Sequence, residues 1–95
     1  RVGTITAAEK IEKADILLKL TVNTGIDVRT IVSGISEHFK PEEVIGQKVS
    51  ILLNLAPRKI RGVESQGMIL MAETEKGELD FVSPNKEIDA GNTIR

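Results

Sequence analysis

The segment Ile16–Val22, ILLKLTV, is the feature of this sequence that most restricts the fold. Every second side chain is apolar, which gives one face made of Ile16, Leu18, Leu20 and Val22. A period of two predicts an antiparallel strand with one buried face. Turn residues follow, with Gly25 at their centre, and Val28–Val32 is then predicted as the partner strand. The two strands and the turn between them predict a β-hairpin.

Further short apolar runs predict the rest of an all-β chain. The first strand is predicted at Arg1–Ala8, with Gly3 marking a bend or a close backbone approach, and Glu9–Lys13 reads as a turn or wide loop. The remaining strands are predicted at Val49–Leu55, buried on both faces, at Gln66–Ala72, at Leu79–Val82 and, pairing late, at Thr93–Arg95.

One short helix is predicted within Ser36–Gly46. Pro41 suits the first helical position, and Glu42 and Glu43 follow where the helix dipole favours anions. About five main strands with this helix between the third and fourth fit a five-stranded Greek-key barrel of the OB type, with extra short strands at the C-terminus. A generic β-sandwich is the structural alternative, but it usually has more strands.

With 95 residues the chain is expected to form one domain, residues 1–95. Its composition also excludes several kinds of site. The chain has no cysteine and His38 is its single histidine, so we expect no disulfide, no usual zinc or copper site and no cofactor, with His38 exposed or capping. No apolar stretch approaches the ~20 residues of a membrane helix. The sequence shows no secretory signal, and a cytoplasmic protein is expected; it begins at Arg1, as a fragment or processed piece would.

The segment Asn54–Met68, NLAPRKIRGVESQGM, carries the candidate site. It places three cations, Arg58, Lys59 and Arg61, between two apolar runs, whereas the net charge of the chain is −1. A basic, glycine-punctuated segment held between strands is a common way to present a binding site, although many such segments are solvated loops. Met68 and Met71 are expected to fill the core.

The aromatic content restricts how nucleic acid could be bound. The chain has two phenylalanines and no tyrosine or tryptophan. Binders of unstructured single strands usually stack successive bases on several aromatic rings. A nucleic-acid ligand of this chain would therefore be gripped by its backbone and shape.

Four segments together resemble the tRNA-binding domain found at the C-terminus of many bacterial methionyl-tRNA synthetases and in free-standing tRNA-binding proteins. They are RVG at Arg1–Gly3, IVSGI at Ile31–Ile35, PEEVIGQKV at Pro41–Val49 and NLAPRKIRGVESQGMIL at Asn54–Leu70. The resemblance covers essentially the whole chain. It implies an OB barrel that binds folded tRNA, forms homodimers, has no catalytic centre, and belongs to a parent synthetase if the chain is a fragment.

The resemblance also implies which residues contact RNA. The positions that match the family's signature are Ser33, Asn54, Lys59, Arg61, Ser65 and Met68. Lys59 and Arg61 are expected to bind phosphates, and Arg58 lies beside them at a position where the family varies. Asn54 and Ser65 either bond the RNA or fix the loop's own backbone.

The chain departs from the family at Ile11–Leu17, IEKADIL, where a His-Pro-x-Ala-Asp-Lys-Leu stretch is usual. Its Ala-Asp and Leu remain, but the His, Pro and Lys are replaced, so the contacts that the family makes there are not carried over to this chain; Lys10, Lys13 and Lys19 are the candidates to replace them. Two other functions stay open: a homodimerisation element with little RNA binding, and a free-standing protein similar to secretion chaperones. No acid–base pair, nucleophile constellation or phosphate loop indicates an enzyme.

Overall fold

A long antiparallel hairpin forms the frame of the structure, a computed structural model that describes residues 1–95. The elements in chain order are β1 (Val2–Ile11), β2 (Ala14–Asn23), β3 (Val28–Ser33), α1 (Pro41–Val44), β4 (Lys48–Leu52), β5 (Arg58–Ile60), β6 (Val63–Ser65), β7 (Met68–Ile69), β8 (Met71–Glu73) and β9 (Leu79–Phe81). β1 pairs with β2, and the main sheet has the order β3-β2-β1-β4-β7. The all-β class with one short helix between β3 and β4 is confirmed.

The alternation predicted for β2 is confirmed over most of its length. Leu18, Leu20 and Val22 are completely buried and form the centre of the core. Ile16, predicted on the same face, is 51% exposed. The pairing explains this, because Lys10 lies opposite Leu18 while the next residue of β1, Ile11, lies opposite Ala14. The extra residues of β2 bulge out of the ladder, and a bulge breaks the alternation.

The prediction of a turn or wide loop at Glu9–Lys13 is wrong. β1 continues to Ile11, and only Glu12 and Lys13 turn the chain into β2. The strand is extended there because its charged residues pair across the hairpin. Glu9 lies opposite Lys19, and their side chains form an ion pair of 3.4 Å.

The strands after the helix are shorter than predicted. β4 ends at Leu52, which is 44% exposed, although Val49 and Ile51 are buried. The strand predicted at Gln66–Ala72 is divided into β7 and β8, and the N–H of Leu70 between them donates to the carbonyl of Ser50 at 3.0 Å. The predicted short C-terminal strand is confirmed as β9, which pairs with β8.

The C-terminal residues return to the start of β1. No strand forms at Thr93–Arg95; instead Gly91 and Asn92 exchange backbone hydrogen bonds of 2.7 and 2.9 Å with Val2. The close approach predicted at Gly3 is confirmed, because a Cβ there would overlap the Ile51 side chain. The helix α1 has four residues, and no helix of the structure is long and apolar enough to cross a membrane.

The sheet closes into a barrel where β3 packs against β6 and β7. Side chains supply much of this closure. The hydroxyl of Ser65 accepts the N–H of Val32 at 3.0 Å and donates to the carbonyl of Gly67 at 3.2 Å. Gln66 exchanges two bonds with Thr30: its N–H donates to the Thr30 carbonyl at 2.8 Å, and its side-chain oxygen accepts the Thr30 N–H at 2.9 Å.

Ser65→Ala should destabilise the fold by about 1–3 kcal/mol, because it leaves the buried N–H of Val32 without an acceptor. Urea unfolding measures the change. Ser33→Ala is the matched control: Ser33 is half-buried, donates and accepts no side-chain hydrogen bond, and should change stability by only about 0.5 kcal/mol. Equal stabilities for the two variants would contradict the role given to Ser65.

Candidate nucleic-acid interface

The basic segment contains a β-hairpin, which the sequence analysis did not predict. β5 and β6 pair through Arg58–Ser65, Lys59–Glu64 and Ile60–Val63. The turn consists of Arg61 at φ 50° and Gly62 at φ 81°. Two successive positive φ angles are typical of a type I′ turn, whose twist matches that of the paired strands. We call residues 58–65 the basic hairpin.

The strand pairing places the three cations in different directions. Arg58 shares a face with its partner Ser65, and therefore lies on the side of the hairpin turned toward the barrel. Lys59 lies on the opposite face with Glu64, and Arg61 occupies the tip. Since Lys59 and Arg61 are two residues apart, their Cα atoms are separated by at most about 7 Å.

All three cations are exposed and none forms an ion pair. The ion pairs of the structure join Lys19 to Glu9 and Arg29 to Asp27. Lys59 lies across the hairpin from Glu64, yet the two are not within ion-pair distance. The basic hairpin therefore presents three charged groups whose hydrogen-bond donors are free for an anionic ligand.

The other predicted residues do not all join this surface. Ser65 is 5% exposed and its hydroxyl serves the barrel closure, so we leave it out of the proposed interface. Ser33 pairs with the buried Leu18 and lies on the interior face of β3, half-buried at the strand's end. Asn54 is exposed, but it faces a groove shared with Ile94 of the C-terminal segment.

The prediction that Met68 fills the core is wrong, since it is 49% exposed. β7 has two residues, and Ile69 takes the core position with 6% exposure. Alternation then turns Met68 outward, beside the basic hairpin. Met71 is partly buried against the core, as predicted. His38 is exposed in a turn before α1, also as predicted.

Arg29 is a residue of the site region that the sequence analysis missed. Its Nη1 donates to the carbonyls of Leu53 and Gln66 at 3.1 and 3.2 Å. These carbonyls lie before and after the basic hairpin, so Arg29 ties the two ends of the hairpin together. The signal was the pair of opposite charges Asp27 and Arg29, two residues apart where the chain enters β3, a spacing that places both side chains on one side of an extended chain.

Asp27 holds Arg29 in this position. Both carboxylate oxygens accept from Nε, at 3.3 and 3.1 Å. The pKa of Asp27 is lowered below its ordinary value, first by the hydrogen bond from the Thr24 hydroxyl and then by Arg29. The carboxylate therefore remains charged at neutral pH, and the base of the basic hairpin stays fixed.

The altered segment Ile11–Leu17 contains the turn of the β1–β2 hairpin. Lys13 in that turn is exposed at φ 64°, and Lys10 is exposed on β1. Lys19 is paired with Glu9. Of the three lysines considered as substitutes for the usual contacts, two are thus unpaired.

Known proteins similar to this chain carry consistent descriptions. The family described as "Putative tRNA binding domain" matches residues 1–93. The methionine–tRNA ligase of Cytophaga hutchinsonii is 63% identical over 94 residues, which are 99% of this chain and 14% of that protein. The corresponding ligase of Bacteroides fragilis is 47% identical over 95 residues, again 14% of its length.

Solved structures share the fold over the whole chain. A MetRS-related protein from Pyrococcus horikoshii superposes with a TM-score of 0.92 at 42% identity, covering 99% of this chain and 86% of that one. The chaperone CsaA from Bacillus anthracis superposes with a TM-score of 0.89 at 27% identity, covering 100% and 88%. These likenesses confirm the small OB-type β-fold.

The chain spans about one seventh of the length of the ligases it matches, since it covers 14% of the first of them. The family match and the ligase relatives agree with each other and with the β-barrel that bears the basic hairpin. The chain belongs to the putative tRNA binding domain family.

Proposed function

We propose that this chain is a tRNA-binding module that grips folded tRNA through the basic hairpin, as an appended C-terminal domain of a cytoplasmic methionyl-tRNA synthetase. The observation that carries the proposal is the set of three exposed, unpaired cations on a hairpin anchored at its base. The family match and the ligase relatives support the identity of the ligand and of the parent enzyme. Catalysis would belong to the rest of that enzyme.

The arrangement suits phosphates rather than a continuous single strand. Lys59 and Arg61 offer charged N–H donors outward and at the tip, and Arg can bind two phosphate oxygens at once. The two phenylalanines, Phe39 and Phe81, pack against each other with ring centroids 4.9 Å apart and against the core. They are therefore committed to the interior and offer no platform for stacking bases in series.

Lys59→Ala combined with Arg61→Ala should weaken tRNA binding by more than tenfold. With about three phosphate contacts, the slope of log K against log[salt] should be near −2 to −3, and the double variant should flatten it by roughly 1.5. A gel-shift titration with whole tRNA at several salt concentrations measures both effects.

Lys76→Ala combined with Lys86→Ala is the matched control for charge. Both lysines are exposed in turns outside the basic hairpin, so the variant loses the same two charges. It should bind tRNA as the unaltered chain does. An equal loss of affinity in the two double variants would show that tRNA responds to the total charge of the chain, and it would contradict the assignment of binding to the basic hairpin.

Arg61 also stores backbone strain. A non-glycine residue at φ 50° costs about 1 kcal/mol relative to glycine, and such strain tends to persist where function requires the side chain. Arg61→Gly should therefore raise stability in urea unfolding while lowering tRNA affinity. Lys13 is the other non-glycine residue with a positive φ, so Lys13→Gly is the control for the gain in stability. If Arg61→Gly bound tRNA as tightly as before, Arg61 would have no part in binding.

We further propose that the chain forms homodimers, as the resemblance implies. Its support is the apolar side chains left exposed, among them Ile26 at 70%, Leu52 and Leu55 at 44% and Ile94 at 48%. These four line one groove of about 500 Å³ with Arg29 at its edge. Burial of such a surface by a second copy is favourable, and two linked sites would raise the affinity for one tRNA by avidity.

Sedimentation with and without tRNA tests the dimer. A dimer that binds tRNA is expected, and Leu52→Lys should shift it toward monomer because it places a charge in the apolar groove. Thr6→Lys, exposed on β1 outside the groove, is the control. A monomer at every concentration would contradict the proposal, whereas a dimer that ignores tRNA would favour a pure oligomerisation element.

The likeness to CsaA keeps a chaperone-like function as the second candidate. The Bacillus anthracis protein is described as a chaperone, and its TM-score of 0.89 is high. Its identity of 27% is much lower than the 63% of the Cytophaga hutchinsonii ligase. The tRNA-binding proposal is therefore the better supported of the two.

A further inference from the structure

A cavity of about 390 Å³ lies between β3 and the basic hairpin. Its walls include Val32, Leu55, Ile60 and Met68, with Arg58 among them. The volume falls near the lower end of the roughly 300–1,000 Å³ typical of small-molecule sites. Leu55 and Met68 are 44% and 49% exposed, so the cavity is open to solvent.

The chemistry of these walls differs from that of a phosphate site. Phosphates are held by N–H donors and cations, whereas most of the named walls are aliphatic or thioether side chains. An apolar cavity next to three unpaired cations is complementary to a ligand with an apolar face and a negative charge beside it. A nucleobase joined to its phosphates has this combination.

Arg58 is placed to cover such a base. It shares the barrel-facing side of the hairpin with Ser65 and lines the cavity, and its guanidinium forms no hydrogen bond or ion pair in the structure. A planar guanidinium stacks on a base, as an aromatic ring would. The cavity therefore offers one stacking position without any of the chain's aromatic rings.

We propose that this cavity binds one unstacked nucleobase of the tRNA, with the Arg58 guanidinium stacked on it and with Lys59 and Arg61 on neighbouring phosphates. The proposal rests on the tRNA binding proposed above and adds a base contact to it. A base site would give the domain a means to prefer RNA with an exposed, unpaired nucleotide over a regular duplex.

The first experiment uses mononucleotides and NMR of the methyl groups. Titration with each of the four nucleoside 5′-monophosphates should shift the methyl signals of Val32, Ile60 and Met68. Ribose 5-phosphate carries the same phosphate without a base, and it should leave these methyl signals in place. Identical shifts for both ligands, or no methyl shift with any nucleotide, would overturn the proposal. So would methyl shifts produced only by an apolar peptide, which would indicate chaperone-like binding.

The second experiment separates stacking from charge with whole tRNA. Arg58→Lys keeps the positive charge and loses the planar group, so tRNA affinity should fall about fivefold or more while the salt slope stays the same. Arg95→Lys, the same change at an exposed arginine outside the basic hairpin, is the matched control and should bind as before.

The two proposals fail in different ways. If Arg58→Lys binds tRNA as tightly as the unaltered chain, the base site is refuted and tRNA binding stands. If the unaltered chain does not bind tRNA, the proposed function fails, whatever the mononucleotides show.

Discussion

The closure of the barrel by the side chains of Ser65 and Gln66 is the interaction on which the rest of the structure depends. A regular backbone ladder along β3 would hold the following strand in line, but here a serine hydroxyl and a glutamine amide take the N–H groups of Val32 and Thr30. The backbone also takes part, since the N–H of Gln66 donates to the Thr30 carbonyl, and the chain then turns at Gly67 into β7. The basic hairpin forms a separate two-stranded sheet whose second strand, β6, packs against β3.

A hairpin outside the main sheet must be held at its base if it is to bind a ligand without a large loss of conformational entropy. Arg29 holds it by donating to the carbonyls of Leu53 and Gln66, which lie before and after the hairpin, and the Asp27 carboxylate fixes Arg29 in turn. The lowered pKa of Asp27 means that this support is lost only as the pH falls through that low value. The type I′ turn fixes the other end. The charged groups are thus carried by an ordered scaffold, so the ordering cost of binding falls mainly on their own side chains.

Core positions could be predicted from the sequence where apolar and polar residues alternate regularly. Positions whose orientation depends on which strand they pair with could not. Leu18, Leu20 and Val22 were recognised as core because polar residues alternate with apolar ones around them. In the run Met68–Ala72 every residue is apolar, so nothing in it shows which face is inward, and Met68 was misplaced. The hairpin at Arg58–Ser65 was missed because Arg61 takes a position where Asn is usual, and only Gly62 signalled the turn. The resemblance marked Ser65 but could not distinguish a surface contact from barrel closure, since both require a hydroxyl.

The charge distribution explains why a small interface of this kind would need help from elsewhere. The chain as a whole has a net charge of −1, so attraction for an anionic ligand does not come from the protein's overall field. At physiological ionic strength the Debye length is about 8 Å, which confines the attraction to the neighbourhood of the hairpin. Glu64, opposite Lys59, reduces it further. Under the proposed function, the two or three phosphate contacts that the hairpin could make would give weak, salt-sensitive binding, and a single base site would add selectivity more than strength. Weak binding suits a domain tethered to a larger enzyme, because the tether raises the effective concentration and the ligand can still leave after reaction.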